Sequence, residues 1–299
     1  MIANRHDHIE SLAVDGQLLQ DHPLLSGIES KDVGTEDLEP WLISLSLDEM
    51  VDLSNGLNRD GATYIQRGID LNMDLVRYGL SHGPGLGVGK TQQSLLRQGL
   101  LKNDMVLAGG MFAAAGIDSR MGGVMLPAMT LAGSGNQGIA AGTPIVAASE
   151  FATMEDNLLL IKSVALSYLV TCYIKTLAGR VGPLCGSAVA GGAGVAAGVT
   201  HLLGGTVDKI GGAIKNHIEN TATLLCDGAK TSCALKVGEA VSSGVKSALM
   251  ALQGTVVKPV DGIIGGSPEE TMGNLGKLVR SGLGGMDPAI LNIMLNKCA

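Results

Sequence analysis

Aromatic side chains are almost missing from this sequence: one Trp, four Tyr and two Phe make up 2% of 299 residues. A core assembled around large rings is excluded. The 44 glycines point instead to elements packed backbone-close through small side chains, which suits tightly apposed helices. An excess of basic residues is missing too. With 21 Lys and Arg against 28 Asp and Glu the formal charge is −7 and no basic run stands out, which argues against a nucleic-acid partner. The first eight residues, Met-Ile-Ala-Asn-Arg-His-Asp-His, lack the apolar core of a secretory signal, so the chain is expected in the cytoplasm. In that reducing compartment five cysteines, an odd number, are expected as thiols, ligands or catalysts rather than disulfides. Short metal-binding spacings are lacking as well. Cys185 and Cys226 stand 41 apart and Cys226 and Cys233 seven apart, matching neither zinc-finger nor ferredoxin patterns. On spacing alone, a buried structural role and a ligand role for these sulfurs stand level.

What is present reads as helix after a different beginning. Residues 1–40 carry a predicted hairpin, Ile9 to Leu19 around Asp15-Gly16, and a polar linker from Glu29 to Glu39. An isolated hairpin is marginal, so this part reads as the remnant of an N-terminal α/β domain. From Trp41 the signal turns helical. Ser46 and Glu49 form a capping-box pattern, and helices are expected over 46–56, 61–79 and 92–116, the second ending at Gly79. Between them, Gly83 to Thr91 suggests a phosphate loop but has Pro84 where that motif needs Gly, so a Gly-rich turn is the stronger reading. Gly133-Ser134-Gly135-Asn136-Gln137-Gly138 matches a dinucleotide fingerprint as a bare string, without the strand and helix units that the fingerprint requires. A nest of backbone amides ahead of a helix, with Ser134, Asn136 and Gln137 as donors, fits it better and would take a small carboxylate.

Residues 157–177 are apolar enough to approach a membrane span but carry Lys162, Ser163, Ser167 and Thr171, so a buried helix is expected. Leu184 to Leu203 reaches spanning length, yet its Gly and Ala content suits soluble helices crossing at short range. Further helices are expected over 207–225 and 233–252, then from Pro268 and from Asp287-Pro288 to the C-terminus. The fold class expected is mainly α: a Gly/Ala-rich helical bundle catalytic domain over 41–299, with a short N-terminal β-hairpin remnant over 1–40. No membrane partner is expected.

Several strings resemble the L-cysteine desulfidase family, whose helical domain is akin to the alpha chain of bacterial iron-sulfur L-serine dehydratases. They are Asp118-Ser119-Arg120-Met121-Gly122-Gly123, Gly133 to Gly138, Gly179-Arg180 through Leu184-Cys185-Gly186, and Cys226-Asp227-Gly228-Ala229-Lys230 through Ser232-Cys233-Ala234-Leu235-Lys236. Asp261-Gly262-Ile263 and Asn274 with Gly276 fit as well, so the resemblance covers most of the chain. It implies a four-iron, four-sulfur cluster held by Cys185, Cys226 and Cys233 with one iron open. It also implies elimination of sulfide from L-cysteine to give pyruvate and ammonia. The alternatives are an L-serine dehydratase alpha-type subunit or an inactive truncated cluster-binding subunit. Ser134, Gly135, Asn136 and Gln137 would hold the amino acid's carboxylate, with Arg120 and Lys230 assisting.

Family members carry a Gly-Cys-Thr-Glu-Pro motif near their own N-terminus, and its cysteine is the proposed base. This chain has no such motif, and its first cysteine is Cys172. A separate N-terminal subunit, a truncated product or a replaced base would each account for that. Cys298 is a candidate fourth ligand, and His82, His201 and His217 are candidates for acid-base work. Small-residue helix faces suggest a homodimer. A non-enzymatic helical subunit and a small membrane protein are the readings from other classes.

Overall fold

The computed structural model describes residues 11–20, 22, 35–152 and 156–297. They fall into two compact units, Met1–Ser44 and Leu45–Ala299. The expected mainly helical class is found: among the described residues there are twelve α-helices, and the only strands form one hairpin.

In the first unit β1 (Leu12–Val14) runs antiparallel to β2 (Gln17–Leu19), with Val14 opposite Gln17. The turn holds Asp15 at φ 51° and Gly16 at φ 80°, the doubly left-handed geometry that Asp-Gly supports. Ile9 and Glu10 of the predicted hairpin lie outside the described residues. The first helix, α1 (Thr35–Ser44), begins inside the stretch expected to be a linker.

The second unit continues with α2 (Leu47–Asn55), α3 (Arg59–His82), α4 (Val88–Arg97), α5 (Met105–Met121) and α6 (Gly135–Ser149). It goes on through α7 (Asn157–Ala178), α8 (Gly186–Leu202), α9 (Val207–Thr221) and α10 (Cys233–Leu252). It ends with α11 (Pro268–Lys277), a π-helical turn (Leu278–Gly282) and α12 (Met286–Leu295). The capping box forms as read: Ser46 N–H donates to Glu49 Oε2 at 2.7 Å, and Glu49 N–H to Ser46 Oγ at 3.3 Å.

Three boundaries differ from the sequence reading. α3 runs through Gly79 and stops at Gly83, whose φ of 66° is the left-handed cap. Gly79 is glycine for another reason, since a Cβ there would collide with the Ala115 carbonyl of α5. The stretch 92–116 is two helices. Gly99, at φ 73°, ends the first, and Asp104 caps the second by accepting the Leu107 N–H at 2.8 Å. α9 stops at Thr221, four residues early, because the chain leaves it to pair Leu225 with Leu184 in an isolated bridge.

At the centre stands α8, buried from Ser187 to Leu202 and flanked by α6, α7, α9 and α10. Glycines admit these neighbours. A Cβ on Gly191 would lie 3.2 Å from Ala140, one on Gly198 2.7 Å from the Ser163 carbonyl, and one on Gly244 of α10 2.5 Å from the Gly192 carbonyl. α7 is the helix among the described residues that is long and apolar enough to cross a membrane. In the bundle 61% of its apolar window is buried against its neighbours, as expected of a core helix.

Gly79→Ala is expected to cost about 1–3 kcal/mol, because α3 and α5 must separate to seat the methyl. A urea unfolding midpoint as in wild type would show that the crossing tolerates it.

Candidate functional site

Two of the cysteines are brought near each other by backbone pairing, not by sequence spacing. In the Leu184–Leu225 bridge Cys185 N–H donates to the Leu224 carbonyl at 2.9 Å, and Cys226 N–H to the Pro183 carbonyl at 2.8 Å. Successive side chains alternate across a strand pair, so Cys185 and Cys226 project on the face opposite the two leucines. They are diagonal neighbours there, at about 7–8 Å. Cys185 is also the N-cap of α8, and Cys233 opens α10. The Lys230 N–H points at Cys233 Sγ, 3.4 Å away. Burial pushes the Cys185 thiol up, and the nearby Cys226 and Cys233 thiols add to that while Lys236 opposes it. The loop from Cys226 to Cys233 is ordered by Asp227, whose Oδ1 takes Lys230 Nζ at 2.6 Å and Lys236 Nζ at 2.9 Å. The bond from Lys230, then that from Lys236, hold its carboxyl well below the usual carboxylate range. Lys230, expected at the substrate, therefore has its charge engaged on this loop.

The other expected site residues meet at the start of α6. Ser134 Oγ accepts the Gln137 N–H at 3.4 Å as N-cap. Arg120, on the last turn of α5, lies across Gly135, where a Cβ would overlap its Nε, and donates from Nη1 to Asn136 Oδ1 at 3.0 Å. A guanidinium beside a helix N-terminus is a carboxylate-binding arrangement. Gln137 reaches from this end toward the start of α8. Its Nε2 donates to the Leu131 carbonyl at 2.8 Å, and its Oε1 faces Gly186, the residue after Cys185.

Two functional readings move. The Gly83 to Thr91 loop is a nest for an anion, but the anion is the chain's own Asp118. Its carboxylate accepts the Gly87 N–H at 3.1 Å and the Gly89 N–H at 3.0 Å, so no phosphate is needed there. Burial pushes Asp118 up, and these backbone N–H groups pull it back down. The histidines are held elsewhere. His82 stacks on Tyr78 at 4.1 Å and donates from Nδ1 to its carbonyl. His201 sits between Ser163 Oγ at 2.9 Å and Asn55 Oδ1 at 3.2 Å. His217, fully buried against Gly192, donates from Nε2 to the Ala188 carbonyl at 3.1 Å. Cys298 lies outside the described residues. Lys175, in the last turn of α7, escaped the sequence reading. It is 4% exposed, and its Nζ lies 3.1 Å from the point a Gly186 Cβ would occupy.

Among the described residues no three His, Cys, Asp or Glu side chains gather tightly enough to hold a single metal ion. A single tetrahedral ion needs its sulfurs close together, whereas a four-iron cluster spreads its thiolates over separate irons. Three sulfurs beside two positive helix ends, two of them on one face at diagonal spacing, fit the second case as a donor set.

Burial lowers His217 to about 4, from 6.5 when exposed. The unfolded chain takes up this proton below pH 6.5 and the folded chain does not until about pH 4, so the stabilisation is complete above pH 6.5 and lost as pH falls through that window. The loss should total about 3 kcal/mol in unfolding free energy. His217→Gln should flatten the pH dependence there, and an unchanged slope in denaturant titrations would place the pH dependence on other groups.

Comparison with known proteins matches the serine dehydratase alpha chain family over residues 54–292. The chain is 44% identical to a protein named UPF0597 protein from Desulfatibacillum aliphaticivorans over 298 residues, covering 99% of this chain and 68% of that relative. It is 42% identical to a UPF0597 protein of Desulfotalea psychrophila over 299 residues, again covering 99% and 68%. A more distant UPF0597 protein, from Clostridioides difficile, is 36% identical over 293 residues, 98% of this chain and 68% of the relative. With its alpha-chain match spanning most of the helical unit and these relatives matched over nearly the whole of this chain, the chain belongs to the serine dehydratase alpha chain family.

Proposed function

We propose that Cys185, Cys226 and Cys233 hold a four-iron, four-sulfur cluster and that the chain is the cluster-bearing part of a lyase. Its substrate is a small 2-amino acid with a leaving group on the β-carbon. L-Cysteine is the first candidate, converted with water to pyruvate, ammonia and sulfide, and L-serine the second. The carrying observation is the Leu184–Leu225 bridge, which turns Cys185 and Cys226 to one face beside the amino end of α8.

A cluster with three protein ligands supplies one Lewis-acidic iron for the carboxylate or the leaving group. The chain's own residues supply the rest. Arg120 and the first amides of α6 take the carboxylate, and Asn136 fixes the guanidinium plane through its 3.0 Å bond. Ser134 and Gln137 fix the start of α6, through the Ser134 cap and the bond from Gln137 to the Leu131 carbonyl. Lys230, through Asp227, keeps the loop between Cys226 and Cys233 in place. Loss of the α-proton and of the β-substituent then leaves an enamine, whose imine water hydrolyses to the 2-oxo acid. The relatives extend beyond the part matched here.

Anaerobic reconstitution with iron and sulfide should give a brown protein with about four irons per chain. Sulfide and pyruvate release from L-cysteine and L-serine, with and without a relative's additional segment in trans, then selects the substrate. Serine replacements of Cys185, Cys226 and Cys233 that bind iron as wild type does would overturn the assignment. Arg120→Gln should raise KM about tenfold with a smaller change in kcat, since it removes a ground-state carboxylate contact. An unchanged KM would move the carboxylate elsewhere.

A further inference from the structure

Lys175 is an ammonium held inside the protein without a carboxylate. It is 4% exposed, and among the described residues no Asp or Glu pairs with it. The cavity beside it, bounded by Leu184, Gly186 and Leu275, measures about 10 Å³, room for one water. Buried charges are normally paired, because an isolated ion loses its hydration with nothing in return. Burial accordingly pulls the Lys175 amine down, and Cys226 and Cys185 favour its charged form when they are thiolates. Its position is set by α7 and α8 together, since its Nζ and the Gln137 amide both lie over Gly186 at the start of α8.

We infer that Lys175 is the internal counter-cation of the cysteine centre: its charge is matched only when Cys185 and Cys226 carry negative charge, as thiolates bound to the cluster. It is a positioning residue, and the inference rests on the cluster reading above. Two consequences of opposite sign follow. In the cluster-free protein the ammonium lacks a partner, so replacing it with an apolar side chain of similar length removes a desolvation cost. In the loaded protein the same replacement removes a positive charge from beside an anionic centre in a low dielectric, which disfavours the reduced form, the one with the extra electron.

The test uses Lys175→Met and Lys175→Arg in the full chain. Cluster-free Lys175→Met should melt at or above the wild-type temperature. After anaerobic loading it should show a midpoint potential more negative than wild type, and should lose iron to a chelator at least threefold faster. Lys175→Arg, which keeps the charge, should stay near wild type in potential. A loaded Lys175→Met with the wild-type potential and iron-loss rate overturns the counter-cation role and leaves the cluster reading standing. A cluster-free Lys175→Met that melts well below wild type makes Lys175 a packing residue and overturns it too. If wild type itself takes up no iron and sulfide, both readings fall together.

Discussion

Close approach of four helices to α8 is the constraint on which the rest depends. A helix buried from Ser187 to Leu202 with neighbours on every side cannot carry large side chains and still let backbone meet backbone. Glycines at 191, 194 and 198 admit α6 and α7, Gly192 receives the His217 ring from α9, and Gly244 of α10 meets the Gly192 carbonyl. The shortage of aromatics and the abundance of glycine are one fact seen twice. Interiors packed this way are stiff, because separating two helices to admit a methyl breaks contacts along their whole crossing.

Stiffness is what a site built on helix ends needs. Gln137 of α6 and Lys175 of α7 both lie over Gly186 at the amino end of α8, and α10 begins at a cysteine. Each end contributes partial positive charge, suited to a substrate carboxylate at α6 and to thiolates at α8 and α10. The fold already shows what such an end prefers when left alone. At the start of α4 the amides of Gly87 and Gly89 take the carboxylate of Asp118, so that end is closed to outside anions. The start of α6 has no internal carboxylate of that kind among the described residues, and Arg120 increases its positive charge instead of cancelling it.

Local signals were the legible part of the sequence. Ser46 with Glu49, Asp15-Gly16, Pro268, and the 233–252 helix announce themselves through caps, turn chemistry and periodicity, and all appear where expected. What was illegible depends on residues far along the chain. Gly79 reads as a stop signal, and only the Ala115 carbonyl explains why it sits mid-helix. Asp118 gives no hint that it fills a loop some thirty residues earlier. Lys175 looks like an ordinary cation complementing the last turn of a helix, and its burial follows from how α7 lies on α8. Nothing in the sequence announces that Leu184 and Leu225 pair, and the diagonal placing of Cys185 and Cys226 follows from that bridge alone.

The same bridge explains why the cysteine spacing fits no short ligand motif. Between Cys185 and Cys226 the chain traverses α8 and α9, of 17 and 15 residues, which pack against each other after a tight turn. At 1.5 Å per residue the outward path is about 26 Å and the return about 22 Å. Two antiparallel helices of nearly equal length bring the chain back to where it left, and the few residues from Ala222 to Leu225 make up the difference and close the strand pair. A zinc finger or a ferredoxin brings its sulfurs together with a turn of a few residues, so its spacing is short and recognisable. Here the spacer is a helical hairpin, part of the core itself. The 41-residue interval is therefore a measure of the lengths of α8 and α9, and the bridge is what sets the two cysteines diagonally opposite each other.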